Sequence, residues 1–220
     1  MKLIKSEDLS INDNTKIVEK YIGSLKSKVI IAENFFNNPD FVREYALEAS
    51  YVDEKAEENL GAPETDNTHW YTHRTALNGA HYKQFFSWAK QELYEDGNWQ
   101  NDVFPPQFSF QMYDRIGECV PHVDSSNYAG LVPLNTEEEL KESFSGTGFY
   151  KYNKNNSEMV SSQSYRHWEI SNSRYQDFTR YHTEYHRYNT LIMYEAKLLH
   201  NAEAKWKSDT KRLTFNFFTW

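Results

Sequence analysis

The sequence predicts an α+β domain, mainly β, in which helices near the N-terminus buttress a β-sandwich or barrel. Three observations carry this. The longer helix-period stretches all fall before residue 107. After it the chain is a succession of short runs rich in β-branched and aromatic residues, separated by turn signals. Aromatics make up 16% of the 220 residues, so large rings fill a core that the 39% hydrophobic content alone would leave thin.

The elements follow in order. Residues 1–27 are polar and weakly patterned, as at a sheet edge. KVIIAENFF (28–36) reads as a buried strand through Val29, Ile30 and Ile31. Asn38 is a good helix N-cap and Pro39 suits the first turn, so NNPDFVREYALEASY reads as a helix with Phe41, Tyr45 and Ala46 on one face. The acidic stretch 52–68 reads as a loop, and HWYTHRTALN (69–78) as a strand. The clearest helix spans 79–98, with Tyr82, Phe85, Phe86, Ala89 and Leu93 on one stripe and Gly97 as its stop. Strands are expected at 108–116, in NYAGLVPLN, at 146–152, at 189–196 and in the closing RLTFNFFTW. TEEELKES (136–143) interrupts them as a short helix whose Thr136 and Glu139 are spaced as a capping box. Residues 153–187 show no core periodicity and read as an insert. At this length one domain is expected over 1–220, with 1–106 as supporting strands and helices and 107–220 as the barrel core.

The net charge of −8, without any Lys/Arg run, argues against a nucleic-acid backbone as the main partner. It leaves room for a small anion, for which one buried arginine suffices. No apolar run reaches the ~18 residues of a membrane span, and Cys119 is the single cysteine, so no intramolecular disulfide is possible. A soluble, cytoplasmic protein without membrane partners is expected.

The chemistry starts at VPHVDSS (120–126). On an extended chain, residues two apart share a face, so His122 and Asp124 can place an imidazole nitrogen and a carboxylate oxygen on one ion. His200, after NTLIMYEA, is the candidate third ligand. Two histidines and one carboxylate form the facial triad of non-haem Fe(II) oxygenases, although imidazole and carboxylate also suit zinc. In RLTFNFF, Leu213, Phe215 and Phe217 alternate towards a core. Arg212, Thr214 and Asn216 then face the barrel interior. An arginine so placed needs an anion, and a dicarboxylate fits its planar fork. Thr214 can add a hydroxyl to the same carboxylate.

At these residues the sequence resembles the 2-oxoglutarate/Fe(II)-dependent dioxygenase superfamily: His122-Val-Asp124, His200 and Arg212-Leu-Thr214 occur in family order, each with strand context. The resemblance covers about residues 107–220. IIAENFFNNPDFVREYAL and GTGFYKY are also similar to short bacterial and phage members. It implies a double-stranded β-helix (a jelly-roll or cupin-like barrel), with Fe(II), 2-oxoglutarate and O2 as cofactor and cosubstrates. It also implies hydroxylation of a C–H bond with release of succinate and CO2. His122, Asp124 and His200 would bind iron, Arg212 the distal carboxylate of 2-oxoglutarate, and Tyr113 a further cosubstrate hydrogen bond. Phe217 and Phe218 stand where nucleic-acid demethylases of this superfamily carry a second arginine, which disfavours a base as substrate. A small-molecule or peptidyl substrate is expected. The alternatives are a zinc-dependent hydrolase with the same three ligands and a non-catalytic binding protein of the same fold.

The other histidines are weaker candidates. His69 and His73 sit in a strand-like stretch, about 13 Å apart at roughly 3.3 Å per residue, too far for one ion. Arg74 reads as a solvated surface residue and His81 as a helix-start residue. Cys119 reads as a buried filler. His167, His182 and His186 belong to the 153–187 insert, which is expected to form a wall or lid over the metal, with His182 and His186 able to share a helical face.

Overall fold

The computed structural model describes residues 6–49, 52–53, 69–74, 107–115, 120–141, 143–160, 170, 173–205 and 211–219. The expected helix over 79–98, most of the acidic loop, Cys119, His81 and His167 lie outside the described residues. Eleven strands are described: β1 (Lys16–Ile22), β2 (Ser27–Glu33), β3 (Val52–Asp53), β4 (His69–Arg74), β5 (Gln107–Arg115), β6 (Tyr128–Pro133), β7 (Phe144–Tyr152), β8 (Phe178–Tyr185), β9 (Thr190–Glu195), β10 (His200–Lys205) and β11 (Arg212–Thr219). They form an eight-stranded sheet of order β1-β2-β9-β6-β11-β5-β4-β3 and a three-stranded sheet of order β10-β7-β8. Every pairing is antiparallel. This is the jelly-roll-like, mainly β architecture expected, with helix on its outer side.

The layers follow from period-two alternation. On the outer face of the large sheet, Ile30, Phe110, Val132, Met193, Phe215 and their neighbours pack against Val42 and Ala46 of α1 (Pro39–Glu48). On its inner face Val29, Ile31, Leu131, Ile192 and Tyr194 meet Phe149 of β7. A third cluster, with Tyr150, Tyr152 and Leu199, covers the far side of the small sheet. Strands buried on both faces read as unbroken apolar runs, which is why TLIMYE shows no alternation.

The helix ends match their sequence signals. Asn38 accepts from the Phe41 amide at 3.4 Å, with Pro39 opening α1. The buried line of α1 is Val42 and Ala46, with Tyr45 packed against it, and Phe41 is only partly buried. In α2 (Glu137–Lys141) the capping box is formed both ways: Glu139 accepts from the Thr136 amide at 2.8 Å, and Thr136 Oγ1 accepts from the Glu139 amide at 3.3 Å. No helix of the described residues is long and apolar enough to cross a membrane.

One expectation is corrected. The last third of the 153–187 segment is a barrel strand, β8, paired along β7. His182 lies within it and His186 just beyond, so the two do not share a helical face. The register slips between Phe149 and Tyr150, and this irregularity erases the clean alternation that marks a strand. Val160, Ile170 and Tyr175 pack on the far side of the small sheet, against Val123 and Leu199. The described part of the segment therefore backs the ligand-bearing backbone, and none of it lines the cavity described below.

Candidate metal centre

Backbone pairing brings the three predicted ligands together. His122 and His200 form an isolated antiparallel bridge, each amide donating to the other's carbonyl, at 3.0 and 2.9 Å. The Asp124 amide donates to the Ala196 carbonyl at 3.0 Å, pinning the loop to the turn that ends β9. Val123, between the two ligands, points away into the cluster behind the small sheet. His122 and Asp124 thus share a face without a full strand beneath them. His200, expected past the end of a strand, is the first residue of β10.

Ligand atoms of His122, Asp124 and His200 all lie within 4.8 Å of one another, the one such group among the described residues. His200 Nε2 is 3.2 Å from Asp124 Oδ2, close to the ~3 Å between neighbouring ligands of a cation bound at about 2.1 Å. His200 Nδ1 lies 2.8 Å from the Leu198 carbonyl and His122 Nδ1 3.3 Å from the Val120 carbonyl. Nδ1–H donating to those carbonyls leaves both Nε2 lone pairs for a metal. His122 is the exposed member, Asp124 is intermediate and His200 is buried.

The electrostatics favour a cation. Although His122 is the most solvent-accessible of the three residues, its ring loses hydration among its crowded neighbours, and this and then His200 push the imidazole below its ordinary pKa, towards the neutral form that ligates. Burial works against the Asp124 charge, but His200 and His122 outweigh it and hold the carboxyl below its usual range. Burial likewise opposes charge on His200, yet Asp124 raises its pKa.

The triad opens into a cavity of about 180 Å³ that Arg212, Gln111, Thr147, Asn216 and Phe218 also line. On β11, Leu213, Phe215 and Phe217 belong to the outer core and Arg212 and Asn216 line the cavity, together with Phe218, whereas Thr214, expected on the same face, is not among the lining residues. Arg212 is 2% exposed, and its Nε donates to Ser145 Oγ at 3.3 Å. Thr214 is fully buried, and its Oγ1 has no hydrogen-bond partner among the described residues. Tyr113 pairs with Arg212 in the backbone register of β5 and β11, and its side chain lies outside the described residues. Gln111, hydrogen-bonded to Asn216, and Thr147 are cavity residues that the motif search passed over. Alternation along FSFQMYDR and GTGFYKY was the available signal for both.

No family model matches this chain, and no curated protein matches it in sequence. Solved structures do. A prolyl-4-hydroxylase from Pseudomonas putida aligns over 93% of this chain and 90% of its own, at 8% identity and a TM-score of 0.39. HygX from Streptomyces hygroscopicus, with nickel, 2-oxoglutarate and hygromycin B bound, aligns over 93% and 82%, at 9% and 0.41. E. coli ycfD aligns over 94% and 54%, at 10% and 0.42. At such identities and scores, the placement of His122, Asp124, His200 and Arg212 in this chain carries the functional argument.

Proposed function

We propose that this protein is an Fe(II)- and 2-oxoglutarate-dependent oxygenase that hydroxylates a C–H bond of a small-molecule or peptidyl substrate. The observation that carries this reading is that a two-histidine, one-carboxylate group and a buried arginine line one cavity. His122, Asp124 and His200 would hold the iron on one face, leaving its other positions open. Arg212 would clamp the distal carboxylate of 2-oxoglutarate with its planar fork, Thr214 supplying a hydroxyl and Tyr113 a further hydrogen bond. When bound, iron and 2-oxoglutarate supply the oxidative chemistry with O2, and the cosubstrate leaves as succinate and CO2. The chain's own residues orient these groups, and the aromatic and aliphatic walls exclude water.

The test is anaerobic. Fe(II) and 2-oxoglutarate added to the wild-type protein should give the weak visible charge-transfer band of the chelated complex. His200→Ala should abolish it, and Arg212→Ala should weaken it at limiting 2-oxoglutarate. A folded wild-type protein that shows no band and binds zinc tightly would sink the oxygenase reading in favour of a hydrolase with the same ligands. A protein that forms the band but never consumes 2-oxoglutarate would be a binding protein of this fold.

A further inference from the structure

His186 is 6% exposed and engages two hydroxyls of β7 with its two ring nitrogens. Nδ1 lies 2.8 Å from Ser145 Oγ and Nε2 lies 3.0 Å from Thr147 Oγ1. The His186 amide donates to the Ser145 carbonyl at 2.9 Å, so the ring is anchored to the strand it serves. Ser145 Oγ also accepts from Arg212 Nε at 3.3 Å, and Thr147 and Arg212 both line the cavity. Four side chains thus form one chain of contacts, from the arginine through a serine and a histidine to a threonine at the cavity wall.

The donors and acceptors of this chain fix its protons. Burial, then the nearby Arg212 cation, keeps His186 neutral, with one N–H and one lone pair. The Ser145 hydroxyl is buried, and of its two partners only His186 Nδ1 can accept, because Arg212 Nε is a donor. Ser145 therefore donates to Nδ1, and the ring proton sits on Nε2. Nε2–H donates to Thr147 Oγ1 and occupies one of its lone pairs. The Thr147 proton is then left over, on a hydroxyl at the cavity wall. The opposite tautomer would strand the Ser145 proton and turn only lone pairs of Thr147 towards the cavity.

We infer that His186 is a positioning residue, which as the Nε2–H tautomer sets the Thr147 hydroxyl as a hydrogen-bond donor to the carboxylate that Arg212 binds. The inference rests on the reading of Arg212 as a carboxylate clamp. A carboxylate is acceptor-only, so a threonine fixed as donor adds a charge-assisted bond, and one fixed as acceptor would repel it.

The first measurement needs no ligand. Long-range 1H–15N spectra of the histidine-labelled protein should show His186 protonated at Nε2 and bare at Nδ1. Anaerobic equilibrium dialysis of 2-oxoglutarate with the Fe(II) protein is the second. Thr147→Val should weaken binding by about tenfold, the order expected for a hydrogen bond to a charged group. Thr147→Ser should restore it. His186→Phe should cost a similar factor, and the double variant little more than either single one. Fe(II) affinity, measured without 2-oxoglutarate, should stay unchanged throughout. An Nδ1–H tautomer, or single losses that multiply in the double variant, overturns the inference while wild-type binding leaves the oxygenase reading standing. A wild-type protein that binds Fe(II) but no 2-oxoglutarate overturns both.

Discussion

The two sides of β7 carry two polar networks of opposite design. On the inner side, Ser145 and Thr147 meet His186 and Arg212, and one hydroxyl proton is left for the cavity. On the outer side, Tyr150 and Arg180 both donate to Glu203, and Tyr175 contacts the Tyr150 hydroxyl at 3.1 Å. The outer network closes on a carboxylate that its neighbours satisfy. The inner one keeps a neutral ring between a cation and the cavity. One strand therefore keeps the two networks apart, because alternation sends the side chains of its two faces to different layers.

The largest break in this contrast should come from the metal ligands. Asp124→Ala should abolish Fe(II) binding, by at least ~100-fold, since two imidazoles alone make a weak site. Its thermal unfolding should change far less, as measured by calorimetry beside the metal titration. An Asp124→Ala protein that still binds Fe(II) tightly would remove the triad from the reading.

Next comes the outer network. Glu203→Ala removes the carboxylate that accepts from both Tyr150 and Arg180, which should cost about 1–3 kcal/mol of stability, read by denaturant unfolding. The folded variant should keep its affinity for Fe(II) and 2-oxoglutarate. A selective loss of 2-oxoglutarate binding would show that the two sides are not separate.

The two sides should also respond to opposite ends of the pH scale. The folded-state pKa of His186 is depressed, first by burial and then by Arg212. The unfolded chain takes up that proton below pH ~6.5, so the inner contribution is present above this value and is lost as pH falls. Glu184, near the end of β8, is tied to Lys20 at 2.8 Å and does not offset the Arg212 charge at His186. Tyr150 is raised, by burial first and then by Glu203. The outer contribution is therefore present below pH ~10, where an unfolded tyrosine ionises, and is lost as pH rises beyond it. His186→Phe should flatten the acid limb of the stability profile and Tyr150→Phe the alkaline limb. Variants that flatten the wrong limb would refute the assignment.

The smallest effect concerns Thr214. Its buried hydroxyl has no partner among the described residues, so Thr214→Val should leave the stability of the ligand-free protein within about 1 kcal/mol of wild type, or raise it. If the hydroxyl serves the carboxylate at Arg212, 2-oxoglutarate binding should weaken several-fold, as dialysis would show. Unchanged binding would remove Thr214 from the site.

Much of the site was legible because it depends on local periodicity. The HxD spacing put His122 and Asp124 on one face, and the structure holds that extended stretch with a single bridge to His200. The alternation of RLTFNFF separated Arg212 from the outer core. Asn38 and Thr136 marked their helix starts because a cap is satisfied within a few residues. β8 was not legible. Its pairing with β7 slips by one residue, and its burial alternates only in part. The role of His186 was hidden for a related reason: its two partners lie about forty residues earlier in the chain.

The sequence by itself determined which two histidines and one carboxylate could share an ion, the inward arginine and the strand-rich second half, since side-chain chemistry and period-two patterning are properties of short segments. Tertiary structure alone decided that β10 meets the His122 loop edge to edge, that residues 178–185 complete the small sheet and that His186 lies beneath Arg212. Those outcomes depend on pairings between distant segments. They are fixed by the joint burial of both faces of each strand, which no single segment encodes.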